Sequence, residues 1–507
     1  MIRYYKKTRG SIPSLDGKRK IELLWGDWLD VEETTPPSND YIVNWLHWSA
    51  KTDRAWRTQY RIKKAHCQKT PLVEMIFLDV GQGDGCIVSL PDGDAHRILV
   101  VDAGQHGHMR NFLRWKTRGF RVGTHIHAAI VTHPDQDHYL GFQPLFSEPR
   151  LRFDHVYHNG LAERTAATRD DEIGPREDGY CTDIVATHEA MHALMSSSAR
   201  RGRKQYPRLM WTALSNPARF GRVEMLSTLT GEMEGGRAWL PGFAPATGPG
   251  PRVEILGPVP EPDAAGRLRL RAFPDPKRNK PFDFGKTKNG HSVILRLEYG
   301  GFTAIFGGDL NRPAEDYLLR HYGGVEAAAP LADTLPEARK RLSADLLKCC
   351  HHGSADVTDE FVAAVHPFVA VISSGDRESH VHPRPEILGM LGKQARGARP
   401  LLLSTELQRS GAEKFVLGDK DIAALDALML AYADAAAGDR ARARQKIDAF
   451  WAERLNRLVS VYGAINIRTD GKKLIAAFKK ESGGGWQVYE FGKKEDGDWT
   501  GAELGGH

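Results

Sequence analysis

The run Thr132-His133-Pro134-Asp135-Gln136-Asp137-His138 constrains this chain more than any other stretch. It sets four metal-binding side chains within six residues. The preceding Ala128-Ala129-Ile130-Val131 is short, apolar and β-branched, the pattern of a buried strand. Proline cannot continue a ladder, so Pro134 ends the strand near Thr132 and leaves the ligands on a loop. His133 and Asp135 stand two apart and Asp137 adjoins His138, so one pair can serve one ion and the other pair a second. A polar surface loop is the bland alternative. Complementary residues recurring far downstream argue against it.

A chain of 507 residues exceeds one ordinary core, so two or three domains are expected. With 41% hydrophobic and 26% charged residues it reads as a soluble globular protein. No apolar stretch reaches bilayer-spanning length, and Met1 to Lys7 lacks an apolar signal core. The expectation is a cytoplasmic protein without membrane contact. The five cysteines form no zinc-type CxxC pair and read as reduced, mostly buried thiols. A net charge of +6 permits nucleic-acid contact without establishing it.

Residues 1–72 form a β-rich module, with a strand and turn over Ile21–Leu29 and a loop at Thr35–Asp40. Tyr41, Trp45, Trp48, Trp56 and Tyr60 lie among basic residues, which suits a stacking platform for single strands. The core of a small barrel explains them better. From Glu74 the pattern becomes strand, tight loop, strand, turn, strand, with Asp79, Asp84 and Asp102 at strand ends. The Gly81–Gly85 stretch is no phosphate loop, because no GKS or GKT follows it.

The segments Leu78–Asp84, Val101–Gly104 and Thr132–His138 resemble the metallo-β-lactamase superfamily, and within it the soluble domain of competence-type DNA-uptake proteins. The likeness resumes at Asn289–Leu297, Phe306–Asp309, Lys348–Ser354 and His380–Pro383, in the family's order. It covers about residues 74–410 apart from an insertion. The resemblance implies an α/β fold: a four-layer αββα sandwich over residues 73–410, after the N-terminal module and before a C-terminal α+β appendage at 411–507. The membrane part of the uptake proteins has no counterpart in the sequence, so transport does not carry over.

The same resemblance implies two divalent ions, Zn2+ or Mn2+. His133 and Asp135 bind the first, Asp137 and His138 the second, and Asp309 bridges. A third ligand at each comes from His291, His351, His352 or His382. The sequence does not separate His351 from His352: one binds metal and the other contacts substrate. Asp84 and Asp102 support ligands rather than bind. Asp135 stands where many members have histidine, which hardens the site and brings manganese into competition with zinc. The implied reaction is hydrolysis by a metal-bound hydroxide, with Asp137, Asp309, His352 and Lys348 as catalytic groups and Lys348, His352 and Ser354 orienting a phosphate.

The insertion, about residues 159–250, holds an acidic patch from Asp170 to Asp178. It also holds Arg200, Arg201, Arg203, Lys204, Arg208, Arg219 and Arg222 with Tyr206, Trp211 and Phe220 among them. Seven cations without a neighbouring acid suit a polyanion, with Arg200, Arg201, Arg203 and Lys204 as the contacts. A solvated surface segment explains them equally well. Downstream, a helix starts at Tyr139–Phe142, a hairpin spans Val293–Phe306, and strands cover Leu346–Cys350 and Val369–Ser373 around a Phe361–Val365 helix. Two helices between Ile422 and Val461 and a β-meander from Ala464 to Phe491 close the chain, as packing or as a homodimer element. The leading expectation is a phosphodiesterase or nuclease acting on DNA. A hydrolase of a small phosphodiester or ester and a nucleic-acid-binding module with an idle site are the alternatives.

Overall fold

The computed structural model describes residues 1–507 apart from 51, 249, 276–277, 376–380, 398, 408–417, 456–458, 481–484 and 505–507. His380 and the boundary drawn at residue 410 lie outside the described residues.

Two large sheets face each other. The first has ten strands in the order 220–225, 152–158, 125–130, 95–103, 85–92, 73–77, 465–469, 473–479, 486–493, 499–504. The second has eight, in the order 232–234, 237–239, 252–257, 294–299, 302–306, 346–348, 369–372, 401–404. Successive side chains on a strand point to opposite faces, and each strand sorts accordingly. Met75 and Phe77 enter the core between the sheets, where Phe77 meets Phe306 at 6.1 Å between ring centroids. Ile76 and Leu78 pack outward against Phe112, Phe142 and Met191 on helices that cover the first sheet. Ile305 and Leu347 pack outward against Leu318, Leu342 and Phe361 on helices that cover the second. The layers run helix, sheet, sheet, helix, the α/β arrangement expected.

The C-terminal α+β part is present, and its strands are continuous with the first sheet. Ile465 pairs with Phe77 and Thr469 with Val73. A fourth strand, Trp499–Leu504, extends the expected meander. The N-terminal module packs on these strands through Leu24, Trp25, Leu72, Ile475 and Val488. Buried Arg468 donates to the Trp25 carbonyl at 2.6 Å and pairs with Asp27 and Glu74, each at 2.8 Å. Inside the module Tyr41, Trp45 and Tyr60 join the core, and Trp56 alone of those five aromatics is substantially exposed, stacked on His47.

The insertion is built into the sandwich. Its strand Phe220–Met225 pairs in parallel with Arg152–His158, and Arg237–Trp239 extends the second sheet. Tyr206 and Phe220 are core residues there, not a stacking face. The helix expected at Tyr139–Phe142 is two short ones, Gln136–Tyr139 and Phe142–Phe146. Gly141 lies against the main chain, its N–H donating to the Gly104 carbonyl at 2.7 Å, and a Cβ there would sit 1.9 Å from the Ala103 carbonyl oxygen.

Candidate metal centre

Parallel strands place their C-terminal ends at one edge, and side chains in the loops beyond converge there. In the first sheet Val101, Ile130 and Tyr157 share a register; in the second Phe306, Lys348 and Val371 do. Asp102, the His133–His138 loop, Asp309 and the His351–His352 turn therefore leave adjacent strands at the same edge of a two-sheet core.

His138, Asp309 and His352 are buried and form the tightest group. His138 Nε2 is 3.2 Å from His352 Nε2 and 3.3 Å from Asp309 Oδ1, and His352 Nε2 is 3.4 Å from Asp309 Oδ2. Asp137 closes the side, 3.7 Å from His352 Nε2 and 4.0 Å from His138 Nε2. The other half is looser. His133 Nε2 lies 3.7 Å from Asp135 Oδ2 and 3.8 Å from Asp309 Oδ2, and His351 Nε2 lies 3.8 Å from Asp309 Oδ2.

The far nitrogen of each ring is held. His138 Nδ1 donates to Asp102 Oδ2 at 2.8 Å, and Asp102 also accepts from the Thr132 N–H and hydroxyl. His352 Nδ1 meets Asp84 Oδ1 at 3.1 Å. His133 Nδ1 lies 3.2 Å from the Ser292 hydroxyl and 3.1 Å from that of Thr132. A carboxylate or hydroxyl behind the ring fixes the tautomer and aims Nε2, the usual arrangement around a metal-binding histidine. Asp84 thus sits behind His352 and Asp102 behind His138. Asp84, His138, Asp309 and His352 offer atoms within 4.8 Å of one another, but both Asp84 oxygens are taken, by His352 and by Lys348.

Buried polar atoms are nearly always hydrogen-bonded. Among the described residues, His133 Nε2 and Asp309 Oδ1 have no hydrogen-bond partner. Their unmet bonding and the nitrogen-and-carboxylate donor set fit a divalent cation. Burial works against charge on His138, yet the carboxylates of Asp309 and Asp102 hold it well above the ordinary histidine range. Burial likewise opposes ionisation of Asp309, and the surrounding His138, His352 and His351 hold it well below the carboxylate range. His351 and His352 adopt left-handed φ of +49° and +55°, a conformation costly for such residues and found where a site over-determines the backbone. Gly83 permits the close approach on the other side: a Cβ there would lie 1.7 Å from the Asp137 carbonyl oxygen.

Three expected residues are placed elsewhere, and a fourth sits over the cluster. His291 Nε2 bonds the Arg271 carbonyl at 2.8 Å and its ring stacks on Phe273, so it faces away from the cluster. His382 lines the cleft above, its ring centroid 5.8 Å from that of His351 and 6.5 Å from that of His352. Lys348 is buried behind His352 in contact with Asp84 and does not line the cleft. Burial pushes its ammonium down to about 7. The Ser354 hydroxyl accepts from the Asp356 N–H and shapes the turn.

The cluster forms the floor of a cleft of about 590 Å3. One wall comes from the insertion, through Glu163, Arg169, Glu172 and Lys204. Two of the seven cations in the basic run, Lys204 and Arg222, are matched by acids. Lys204 pairs with Glu172 at 2.7 Å and Glu163 at 3.3 Å, and Arg222 pairs with Glu224 and Glu189. Arg219 donates to the Phe146, Glu148 and Leu151 carbonyls, and Arg201 lies over Trp211. Arg200, Arg203 and Arg208 are exposed. The sequence reading missed Lys288, Asn289, Ser292 and Gln82, all of which touch the cluster. The first three stand in the Asn289–Leu297 block or border it, where His291 drew the attention instead.

No protein-family model matches the chain. The chain is 29% identical over 110 residues, 22% of its length, to ComE operon protein 3 of Bacillus subtilis. It is 34% identical over 131 residues, 26% of its length, to Competence protein ComA of Neisseria gonorrhoeae. These matches span 12% and 16% of those two proteins. None of the described helices is long and apolar enough to cross a membrane.

Proposed function

We propose that this chain is a metal-dependent phosphodiesterase that cleaves nucleic acid, with DNA as its substrate. The observation that carries it is the convergence of His138, His352 and Asp309 at 3.2–3.4 Å, each histidine braced from behind by a carboxylate. The partial likeness to competence proteins and the motif resemblance to the soluble domain of DNA-uptake proteins support DNA over other substrates.

A divalent ion held here would lower the pKa of water and neutralise charge on a phosphate. The chain's own residues do the rest. Asp102 and Asp84 hold the proton on Nδ1 of His138 and His352, so that Nε2 is the nitrogen that gives up its proton and offers a lone pair to the ion. Asp137, held by Gln82 at 3.4 Å, is placed to take a proton from attacking water. His382, Arg169 and Lys204 line the cleft and are placed to meet phosphate and leaving group. Exposed Arg200 and Arg203 beside that wall supply attraction to a strand. A cleft of this volume is also within the size range of small-ligand sites, which favours a small phosphodiester as the second reading.

Plasmid, single-stranded DNA, RNA and a chromogenic phosphodiester, each assayed with Mn2+ and Zn2+, separate the two. Asp137→Ala should abolish cleavage and leave DNA binding intact. Arg200→Glu with Arg203→Glu should weaken DNA binding and reduce its salt dependence. Turnover of the small ester with all nucleic acids intact would reject the nuclease reading.

A further inference from the structure

The two halves of the cluster differ in what already holds them. Lys288 donates from Nζ to Asp135 Oδ1 at 2.5 Å. It stands near the end of the Phe284–Gly290 helix, buried, with its ammonium 4.9 Å from the centroid of the Phe284 ring. The Asn289 amide satisfies its neighbours with nitrogen toward Asp135, donating to Oδ2 at 2.9 Å and to the Gly285 carbonyl at 3.0 Å. Asp283 caps the helix by accepting from the Lys286 N–H at 2.9 Å, so the element that delivers both donors is fixed at its start. Both oxygens of Asp135 therefore have protein donors. No such donor pair reaches Asp309 Oδ1, which has no hydrogen-bond partner among the described residues.

Spacing points the same way. Ligands about 2.0–2.1 Å from a tetrahedral ion lie about 3.3 Å from each other. The His138, His352 and Asp309 atoms are at 3.2–3.4 Å, with Asp137 farther out at 3.7–4.0 Å, whereas around His133 Nε2 no pair is closer than 3.7 Å. Charge agrees too. Asp135, Asp137 and Asp309 aim three carboxylates into the cavity and Lys288 returns one positive charge, so a single divalent ion brings the sum to neutrality. A second ion would leave two positive charges in a buried site. Asp84 does not enter this sum, because Lys348 matches it.

We propose that the chain binds one divalent ion tightly, between Asp137, His138, His352 and Asp309, and that the ammonium of Lys288 takes the place of a second ion at Asp135. The proposal rests on the metal-dependent reading above and narrows it to one ion and a built-in cation.

The test counts metal. Full-length protein is stripped with a chelator, reloaded with Mn2+ or Zn2+, desalted, and measured for metal per chain by elemental mass spectrometry. Wild type should retain one equivalent, Lys288→Met should rise to two, and Asp135→Asn should stay at one. Bound Mn2+ should give the six-line spectrum of an isolated ion in wild type and a spin-coupled pair in Lys288→Met. Two equivalents in wild type, one in a folded Lys288→Met, or a loss of metal in Asp135→Asn would each overturn the proposal. If Lys288→Met does not fold, the wild-type count and Asp135→Asn decide. Absence of any retained metal would remove this proposal together with the reading beneath it. One bound equivalent without cleavage of any phosphodiester would remove only the activity.

Discussion

Asp102→Asn isolates the brace behind His138. Asp102 has a φ of +54°, and asparagine tolerates that region better than other non-glycine residues, so the backbone should hold. Asp102 Oδ1 accepts from the Thr132 N–H at 2.9 Å and can go on doing so as an amide oxygen. The other oxygen, which accepts from the Thr132 hydroxyl at 2.7 Å and from His138 Nδ1 at 2.8 Å, becomes an NH2 group. A hydroxyl can rotate to accept. The His138 ring, buried between Thr132 and His352, can accept at Nδ1 only by moving its proton to Nε2, the atom aimed at the cavity. Loss of such outer partners weakens metal binding 10- to 100-fold, about 1.4–2.7 kcal/mol. The metal-free protein should lose about 1–2 kcal/mol for the charge-assisted bond. Competition with a chromophoric chelator reads the first quantity and denaturant unfolding in excess chelator the second. A metal affinity within twofold of wild type would show that Asp102 does not set the tautomer of His138.

Arg468→Met should cost about 3 kcal/mol in urea unfolding, the lower end for breaking a buried pair, because Lys116 at 2.6 Å still partners Glu74. Glu315 is buried, accepting from the Thr358 N–H and hydroxyl, and burial lifts its pKa from 4.5 to about 8. A raised folded pKa favours the protonated state. That contribution is complete below about 4.5 and is lost as pH climbs through about 8, so wild type should lose more stability between pH 5 and 8.5 than Glu315→Gln, as read by unfolding midpoints. Gly83→Ala combines a φ of +106° with a Cβ 1.7 Å from the Asp137 carbonyl oxygen, and should displace the metal loop, seen as loss of retained metal in a chain that still melts cooperatively.

What could be read from the linear chain was whatever depends on neighbours in sequence. Pro134 and the apolar run before it place a loop at the end of a strand, and that loop delivers His133, Asp137 and His138 to the cluster. The Val293–Phe306 hairpin announces itself by alternation and delivers Asp309. Partners chosen by the fold were invisible. Arg222 and Lys204 looked unmatched because Glu189, Glu224, Glu163 and Glu172 lie outside their stretch of sequence. His291 carried the right side chain in the right block, but the Phe284–Gly290 helix turns Lys288 and Asn289 toward Asp135 instead. The strand pattern of Ile465–Thr469 was legible, while its pairing with Val73–Phe77 needs the whole sheet.

That pairing has a consequence for synthesis. Val73–Phe77 leaves the ribosome long before Ile465–Thr469, so until that strand is made it is an open edge able to pair with any other chain. Fragments that stop short of residue 465 keep that edge bare, and they should accumulate as aggregates rather than as small working versions of the protein.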